Sequence, residues 1–549
     1  MNVRTAPLEP FLEMDDIQGM AVPGFLKPYH TLLGLRATND DAGARKLREL
    51  VGEITREVAT GLETFRDREE FRQARLALKT RYPRSRRALT KGDEGAVLVG
   101  IGLSYRGLSL LTPGADAIRS AAFRAGMVAR SAALGDPQDL KDDGYAANWV
   151  VGAPGKELDA LIVVAGDHRE PVSKRADVLQ RRIEDCGIDV VYREDGNVRQ
   201  TPMDERGHEH FGFDDGVSQP AIRGRVRIDG DEKFISQRNV DPRVQPETWL
   251  YGRPGQTLVW PGELVLGQPT SSPDPLLPGP PSVTTPPWTR NGSFLVFRRL
   301  RQDVGLFWRT MRDTAAALSK SGWKITDLEL AARLVGRWPS GAPVNRISSG
   351  DDRALGTTAL ANNYFKFDSD TVKIALVADD GMPYDDPFPQ AKADPLGLAC
   401  PWAAHIRKVN VRDSGSDMGG GDATYRRRLL RIGIPFGTFL DGKQKYQDHS
   451  REKKDRGLLF LSIQASIEDQ FEFLQTSWMN DDSRPKMPGG NDMIVGQNAA
   501  AAGGVRRCTL IGPKLQAHDV SAPRQWVVPT GGGYFFVPSL SALREVLAR

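Results

Sequence analysis

One histidine stands in a segment rich in cationic side chains. In CPWAAHIRKVNVR, residues 400–412, His405 is followed by Arg407, Lys408, Asn410 and Arg412. An imidazole can coordinate haem iron axially, and arginines can neutralise haem propionates. The segment also fits an ordinary basic stretch, and Cys400, which precedes a proline, is a rival axial ligand through its thiolate.

An acidic loop could supply a carboxylate for proton transfer. FGFDDGVSQP, residues 211–220, sets Asp214 and Asp215 between two glycines. A positioned carboxylate acts as a general acid or base, but Asp-Gly is also a common turn dipeptide. His208 and His210 do not form an HExxH or another zinc-binding spacing.

A basic segment near the C-terminal third contains a further group of interest. YRRRLLRIGIPFG, residues 425–437, leads into a glycine-proline turn. An arginine here would ordinarily be a solvated surface charge. It would matter for chemistry only if the fold brought it close to the acidic loop.

Composition sets the class of molecule that must position these groups. The chain has 549 residues, of which 40% are hydrophobic and 26% charged, as in globular proteins. At roughly 100–200 residues per domain, this length allows two to four folding units. The 74 basic and 70 acidic side chains give a net charge of +4, too even a balance for a nucleic-acid-binding surface.

Location is predicted from cysteine usage and from apolar runs. Cys186, Cys400 and Cys508 form no CxxC pair, which favours a reducing compartment over a disulfide framework. The first twenty residues do not contain the apolar run of a signal peptide, and no stretch approaches 18 consecutive apolar residues. We expect no membrane span and a cytoplasmic location, while secretion without a cleaved signal stays open.

Strand-like and helix-like segments alternate in two successive sets. The first set predicts strands over 30–36, 159–167 and 189–194, helices over 40–65 and 175–186, and a strand running into a short helix over 94–111. The second set predicts a strand followed by a helix over 292–318 and again over 457–478. Two such sets suggest two α+β layers, each an open sheet with helices on one face.

Between the two sets lies a proline-rich segment. Residues 266–287 contain eight prolines in 22 positions, so they cannot form a central strand or a helix interior. We interpret them as a surface excursion. The Gly/Ala/Pro-rich stretches 414–422 and 483–504 are interpreted as loops.

Three motifs together resemble the dye-decolorising haem peroxidases. Residues 212–216 match the GxxDG motif of that family, which assigns the catalytic acid to Asp215. CPWAAHIRK resembles the proximal segment and makes His405 the iron ligand, and RIGIPFG resembles the distal segment and makes Arg431 the distal arginine. The long loops are similar to those of the larger members, grouped with the fungal enzymes and their bacterial relatives.

The resemblance implies a fold and an activity. The fold would be a duplicated ferredoxin-like α+β unit of the dimeric α+β barrel type, with two antiparallel sheets and peripheral helices. Its N-terminal half would span 1–225 and carry the GxxDG loop, and its C-terminal half would span 226–549 and carry most of the haem pocket. With one haem b per chain, the enzyme would reduce hydrogen peroxide through an oxoferryl intermediate and oxidise dyes, phenolics or other aromatic donors.

Further roles follow from the same resemblance. Arg407, Asn410 and Arg412 would bind the propionates, and Leu458 and Phe460 would form an apolar distal wall. The carboxylate that accepts the other N–H of His405 would be Glu468, Asp469 or Glu472. Trp402 and Tyr425 could relay electrons, although packing explains each of them better. A haem-transport or iron-release protein on the same scaffold is the alternative function, and the oligomeric state is left open.

Overall fold

The structure is a computed structural model that describes residues 6–81, 96–202, 205–440, 455–486 and 489–549. Its strands are β1 Tyr29–Arg36, β2 Val97–Leu103, β3 Ala160–Gly166, β4 Asp189–Asn197, β5 Ala221–Ile222, β6 Arg225–Ile228, β7 Asp231–Phe234, β8 Leu258–Val259, β9 Pro269–Ser271, β10 Pro278–Pro281, β11 Ser293–Gln302, β12 Leu376–Val377, β13 Pro383–Tyr384, β14 Leu430–Arg431, β15 Ile434–Phe436, β16 Gly457–Gln464, β17 Arg506–Ile511, β18 Ala517–Ala522 and β19 Val527–Val537.

The α-helices connect and flank these strands. They are α1 Asp41–Ile54, α2 Gly61–Arg81, α3 Tyr105–Leu111, α4 Ala121–Arg130, α5 Arg169–Asp185, α6 Glu247–Leu250, α7 Val304–Lys320, α8 Asp327–Val335, α9 Arg353–Thr357, α10 His405–Val409 and α11 Leu540–Ala542. Two consecutive π-helical segments, Ile467–Glu472 and Leu474–Met479, follow β16.

The same topology occurs twice along the chain. In the first half the strand order is β2-β3-β1-β4, and every pairing is antiparallel. In the second half the order is β15-β16-β11-β19, again antiparallel, and β14 adds to β16. Both orders follow from two β-helix-β units in sequence, so the predicted duplicated ferredoxin-like fold is confirmed.

The two sheets meet along both edges. Phe436 of β15 pairs with Gly196 of β4, and Phe536 of β19 pairs with Leu103 of β2. Each junction is a single residue pair. Together the junctions close the eight strands into a barrel, which leaves neither sheet with a free outer edge.

Alternation along the strands divides the core in two. Leu295 and Phe297 of β11 pack with Leu459 and Leu461 of β16 and with side chains of the first sheet, inside the barrel. Their neighbours along the strands point outward, where the helices cover them. Full burial of a leucine or phenylalanine contributes about 1.5–3 kcal/mol, so the barrel interior is a large source of stability.

The helix predicted over 40–65 is two helices. Helix α1 ends at Ile54, and α2 begins at Gly61. Thr60 and Glu63 form a reciprocal capping box, because the N–H of Thr60 donates to the Glu63 carboxylate and the N–H of Glu63 donates to Thr60 Oγ1. This cap starts a new helix where helical periodicity alone predicted continuation.

The proline-rich segment lies outside the barrel. Within it, β9 and β10 pair only with each other. The segment is therefore not a central strand, as its prolines predicted. Among the helices that the structure describes, none is long and apolar enough to cross a membrane.

Candidate active site

The acidic loop and the basic segment come together. Nη1 of Arg431 lies 3.3 Å from Oδ1 of Asp215, and Nη2 donates to the carbonyl of Ser218 at 2.6 Å. The Gln219 amide exchanges hydrogen bonds with the backbone of Arg431, at 3.0 and 3.2 Å. The side chains of Arg431 and Asp215 stay 30% and 35% exposed, so the pair is open to a small molecule.

Strand register puts an apolar surface beside this pair. Arg431 lies directly opposite Ser462 of β16, so the two side chains share a face of the sheet. Leu458 and Phe460 belong to the same face because residues two apart on a strand point the same way. Both are half-buried, unlike Leu459 and Leu461, which point into the barrel.

A second acid, Glu209, holds the loop that carries Asp215 in place. The carboxylate of Glu209 accepts the N–H groups of Phe211 and Phe213 at 2.8 and 2.9 Å. Burial raises the pKa of Glu209 to about 7. Burial, with the nearby charge of Asp215, also raises the pKa of Asp214 to about 7.

His405 is held in one orientation. It is the first residue of α10, and its Nδ1 lies 2.7 Å from Oδ2 of Asp492. The other carboxylate oxygen of Asp492 accepts the N–H groups of Ile494 and Val495. Burial alone would raise the pKa of Asp492, but His405 and these two donors hold it below its ordinary value.

The predicted carboxylate partners of His405 were wrong. Asp469 pairs with Arg427 at 3.1 Å, Glu468 accepts from Ser120 and the N–H of Ala122, and Glu472 binds Arg130 and Tyr534. Asp492 lies in the stretch 483–504, which its composition marked only as a loop. No local pattern distinguishes this acid; only the tertiary contact does.

Cys400 does not serve as the rival ligand. Its side chain is fully buried in the apolar cluster beside α8. Burial raises the pKa of the thiol to about 12, so a thiolate is strongly disfavoured.

Arg407 does not fit the predicted propionate role. Its side chain is completely buried, and Nη1 donates to the carbonyls of Asp394 and Cys400, both at 2.9 Å. Nη2 binds Asp368 at 3.0 Å, and the guanidinium lies 3.8 Å from the ring centre of Trp402. These contacts stabilise the segment before α10 and leave no access for a ligand.

Arg412 belongs to a cationic group that joins the two sides of the site. Its Nη2 and that of Arg337 both donate to Oδ1 of Asn363, at 2.7 and 2.9 Å. Arg337 in turn lies within electrostatic reach of Asp214 and Arg431. Burial, with Arg337 next in effect, lowers the pKa of Arg412 to about 9.

The remaining predicted residues are placed as follows. Oδ1 of Asn410 accepts the backbone N–H of Arg412 at 3.3 Å. Trp402 and Tyr425 are 5% and 7% exposed, so neither offers a wide surface for contact with a bulky donor. Their relay role stays a prediction.

The residues present fit a haem. Within the described chain, Nε2 of His405 has no hydrogen-bond partner, and the side chain is 28% exposed. The described residues contain no cluster of three or more His, Cys, Asp or Glu side chains that could hold a bare metal ion. A porphyrin would supply the further ligands of an iron at His405, and Leu458 and Phe460 are half-buried apolar side chains that could pack against it.

Comparison with known sequences gives a consistent result. The family model described as the DyP dimeric alpha+beta barrel domain matches residues 16–200. The chain is 32% identical over 475 residues to a dye-decolorizing peroxidase of Mycena epipterygia, covering 84% of this chain and 78% of that protein. It is 30% identical to the multifunctional dye peroxidase DyP2 of an Amycolatopsis species, covering 82% of each.

Solved structures agree with the sequences. The structure of an ancestral D-type dye-decolorizing peroxidase superposes with a TM-score of 0.70 at 30% identity, over 99% of this chain and 100% of that one. A dye-decolorizing peroxidase in complex with 2,6-dimethoxyphenol gives a TM-score of 0.69 at 25% identity, over 98% and 100% of the two chains. With the barrel and the site geometry, these similarities establish that the chain belongs to the dye-decolorising peroxidase family, whose members are haem enzymes.

Proposed function

We propose that this chain is a haem peroxidase that reduces hydrogen peroxide to water and oxidises dyes, phenolics or other aromatic donors by one-electron steps. The contact of Asp215 with Arg431 carries the proposal, because it joins an acid–base group and a cation on an open apolar face. One haem b per chain, when bound, would supply the iron that accepts peroxide and stores the oxidising equivalents.

On the proximal side, His405 would bind the iron through Nε2. Asp492 would keep the ring's other proton on Nδ1, which fixes the tautomer and increases the basicity of the ligand. The 2.7 Å contact and the complete burial of Asp492 support this role.

On the distal side, Asp215 would take a proton from one oxygen of hydrogen peroxide and return it to the other, which leaves as water. Arg431 would stabilise the negative charge that develops as the O–O bond breaks. Leu458 and Phe460 would keep bulk water from this face.

Arg412 remains our proposal for a propionate ligand. Its hydrogen bonds to Asn363 and Phe365 use three of its five N–H donors, so donors remain for an anion. Asn410 would act through Arg412, whose backbone it contacts. A haem-transport function would need neither Asp215 nor Arg431, so their pairing favours the peroxidase.

We also propose the division of the chain into two halves and its location in the cell. The division at residue 225/226 assigns the Asp215 loop to the first half and His405 to the second. The cytoplasmic location is carried over as a prediction from the sequence.

A spectroscopic titration tests the function. The chain, expressed with added haem precursor, should show a ferric Soret band that changes with one equivalent of peroxide and recovers when a reducing dye is added. A Soret band that does not respond to peroxide would overturn the peroxidase in favour of haem handling.

A further inference from the structure

A cavity outside the proposed haem site lies against the proline-rich segment. It has a volume of about 530 Å³, within the range of sites for small organic ligands. Its walls are residues 118–120, the loop 262–294, Arg426 and Arg427, and the start of the helix after β16. We call it the proline-loop cavity.

The wall made by the proline-rich segment is rigid. The N–H of Ser271 donates to the buried carboxylate of Glu263 at 2.7 Å, and the indole N–H of Trp260 donates to the carbonyl of Pro275 at 3.1 Å. Thr270 Oγ1 donates to Pro280 O at 2.7 Å, which joins β9 to β10. A wall fixed in this way loses little conformational entropy when a ligand binds.

The floor of the cavity is apolar. Ile118, Leu266 and Phe294 line it and are each at most 5% exposed. The ring of Phe294 is held between Phe123 and Phe536, with ring centres 5.4 and 5.8 Å away. Such a floor favours a flat aromatic body.

Three arginines and three acids line the cavity, and two of the arginines keep N–H donors that no described residue uses. Asp469 is paired with Arg427, and Glu468 accepts from Ser120 and the N–H of Ala122. Arg119 is exposed and makes no hydrogen bond or ion pair with any described residue. Arg426 makes one described hydrogen bond, from Nε to the carbonyl of Ser271 at 2.8 Å, and interacts electrostatically with the buried Glu263, so its Nη groups keep unused N–H donors. The unused N–H groups of Arg119 and Arg426 can therefore bind an anionic head group.

The cavity shares a face of the barrel with the proposed haem site. Phe294 lies opposite Gln464 of β16, on the same side of the sheet as Phe460 and Arg431. Gln464 is four positions after Phe460, which is about 13 Å along the strand. A donor bound in the cavity would thus lie along the sheet from Phe460 and Arg431, away from the Asp215–Arg431 pair.

We propose that the proline-loop cavity binds small aromatic carboxylates, with Arg119 and Arg426 at the carboxylate and Phe294 under the ring. The further claim that this cavity is where the enzyme binds its electron donor rests on the proposed peroxidase function. Two phenolic donors would each give one electron and the hydroxyl proton, so that one hydrogen peroxide and two phenols yield two waters and two phenoxyl radicals.

Equilibrium binding tests the site without turnover. 4-Hydroxybenzoate would be titrated calorimetrically into the haem-loaded full chain without peroxide, with 4-hydroxybenzyl alcohol as the neutral match. We expect Arg119→Leu and Arg426→Leu each to raise the dissociation constant of the benzoate about tenfold, the scale of one charge-assisted hydrogen bond. Arg524→Leu, an exposed control elsewhere, should change nothing, and the alcohol should bind weakly in every variant.

Equal benzoate affinity in the wild type and Arg119→Leu would overturn the site, as would equal affinity for the alcohol. Because Arg119 makes no described contact, its variant stays informative even if Arg426→Leu fails to fold. In turnover, KM for 4-hydroxybenzoate should rise in Arg119→Leu while kcat/KM for the uncharged 2-methoxyphenol stays unchanged. If Arg119→Leu impairs turnover of 2-methoxyphenol as much as turnover of 4-hydroxybenzoate, the donor assignment is refuted. Loss of turnover with every donor, with binding intact, would refute the peroxidase and not the cavity.

Discussion

The two sides of the proposed haem site are built differently. On the proximal side, His405 contacts a completely buried carboxylate at 2.7 Å, and backbone N–H groups fix that carboxylate in turn. On the distal side, Asp215 and Arg431 are about one third exposed and 3.3 Å apart; Asp215 lies on a turn between two glycines and Arg431 on β14. The proximal pair has one fixed geometry, whereas the distal pair can exchange its partner for a substrate.

This difference separates two tasks. A metal ligand is best held in one orientation by buried hydrogen bonds. A proton-transferring acid must reach the substrate and needs room to do so. The change from buried to exposed occurs between two neighbouring acids. Burial raises the pKa of Asp214 to about 7, whereas the side chain of Asp215 is exposed.

Removal of the proximal imidazole should have the largest effect. His405→Ala leaves no protein ligand for the iron, so haem affinity should fall by more than about 100-fold, beyond the loss typical of outer-shell changes. His518→Ala, whose ring contacts Trp323 far along the chain, is the control. A wild-type Soret band in His405→Ala would mean that another residue binds the iron.

Removal of the distal acid should spare the haem and slow the chemistry. Asp215→Asn keeps the size of the side chain but not its acid–base function, and the rate of reaction with peroxide should fall about 10²–10⁴-fold. Rapid-mixing absorption spectroscopy measures this rate. Asp214→Asn is the matched control and should lose far less; the reverse order would move the catalytic role to Asp214.

Removal of Arg431 should slow the reaction with peroxide slightly less than removal of Asp215. Arg431→Leu removes a preorganised cation, and the rate with peroxide should fall about 10²–10³-fold. Arg431→Lys should recover part of this loss because it keeps the charge. If leucine and lysine variants react alike, charge at this position is not what speeds the reaction.

The outer proximal carboxylate should show a moderate effect. Asp492→Asn should reduce haem affinity or activity about 10–100-fold, since the amide no longer fixes the proton on Nδ1. Asp482→Asn, an exposed acid in the same segment, should behave as wild type. Identical haem affinity and turnover in Asp492→Asn would show that the hydrogen bond has no role in ligation.

The smallest effect concerns stability and pH. Burial raises the pKa of Glu209 to about 7, so folding favours its protonated form. The stabilisation is complete below about pH 4.5 and is lost as the pH rises through about 7. Between pH 5 and 8 we expect a loss of about 1–3 kcal/mol of unfolding free energy. Denaturant titrations at several pH values measure this loss. In Glu209→Gln the unfolding free energy should fall less between pH 5 and 8 than in the wild type. In Glu232→Gln it should fall as in the wild type.

Sequence patterns predicted the parts of the fold that depend on local order. The strands β1 and β3 lie within one residue of their predicted ranges, and β11 begins one residue after the predicted start of its strand-helix segment. The break between α1 and α2 was missed because the cap at Thr60 interrupts a periodicity that otherwise continues.

The site was predictable only where motifs mark it. Asp215, Arg431 and His405 stand in recognisable segments. Asp492 does not, because its contact joins residues 87 apart in sequence. Arg407 was misassigned for a related reason: its position beside His405 suggested a ligand, but its contacts to Asp368 and Asp394 come from a distant loop. Charge near a motif does not reveal which way a side chain points.

The division of labour between the two sides can be measured directly in two variants. Haem affinity and the rate of reaction with peroxide would be determined together for Asp215→Asn and Asp492→Asn, each loaded with haem to saturation for the kinetic measurement. We predict that Asp215→Asn keeps wild-type haem affinity and loses the reaction with peroxide, while Asp492→Asn loses haem affinity and retains more of that reaction. Equal losses of both quantities in the two variants would contradict the account.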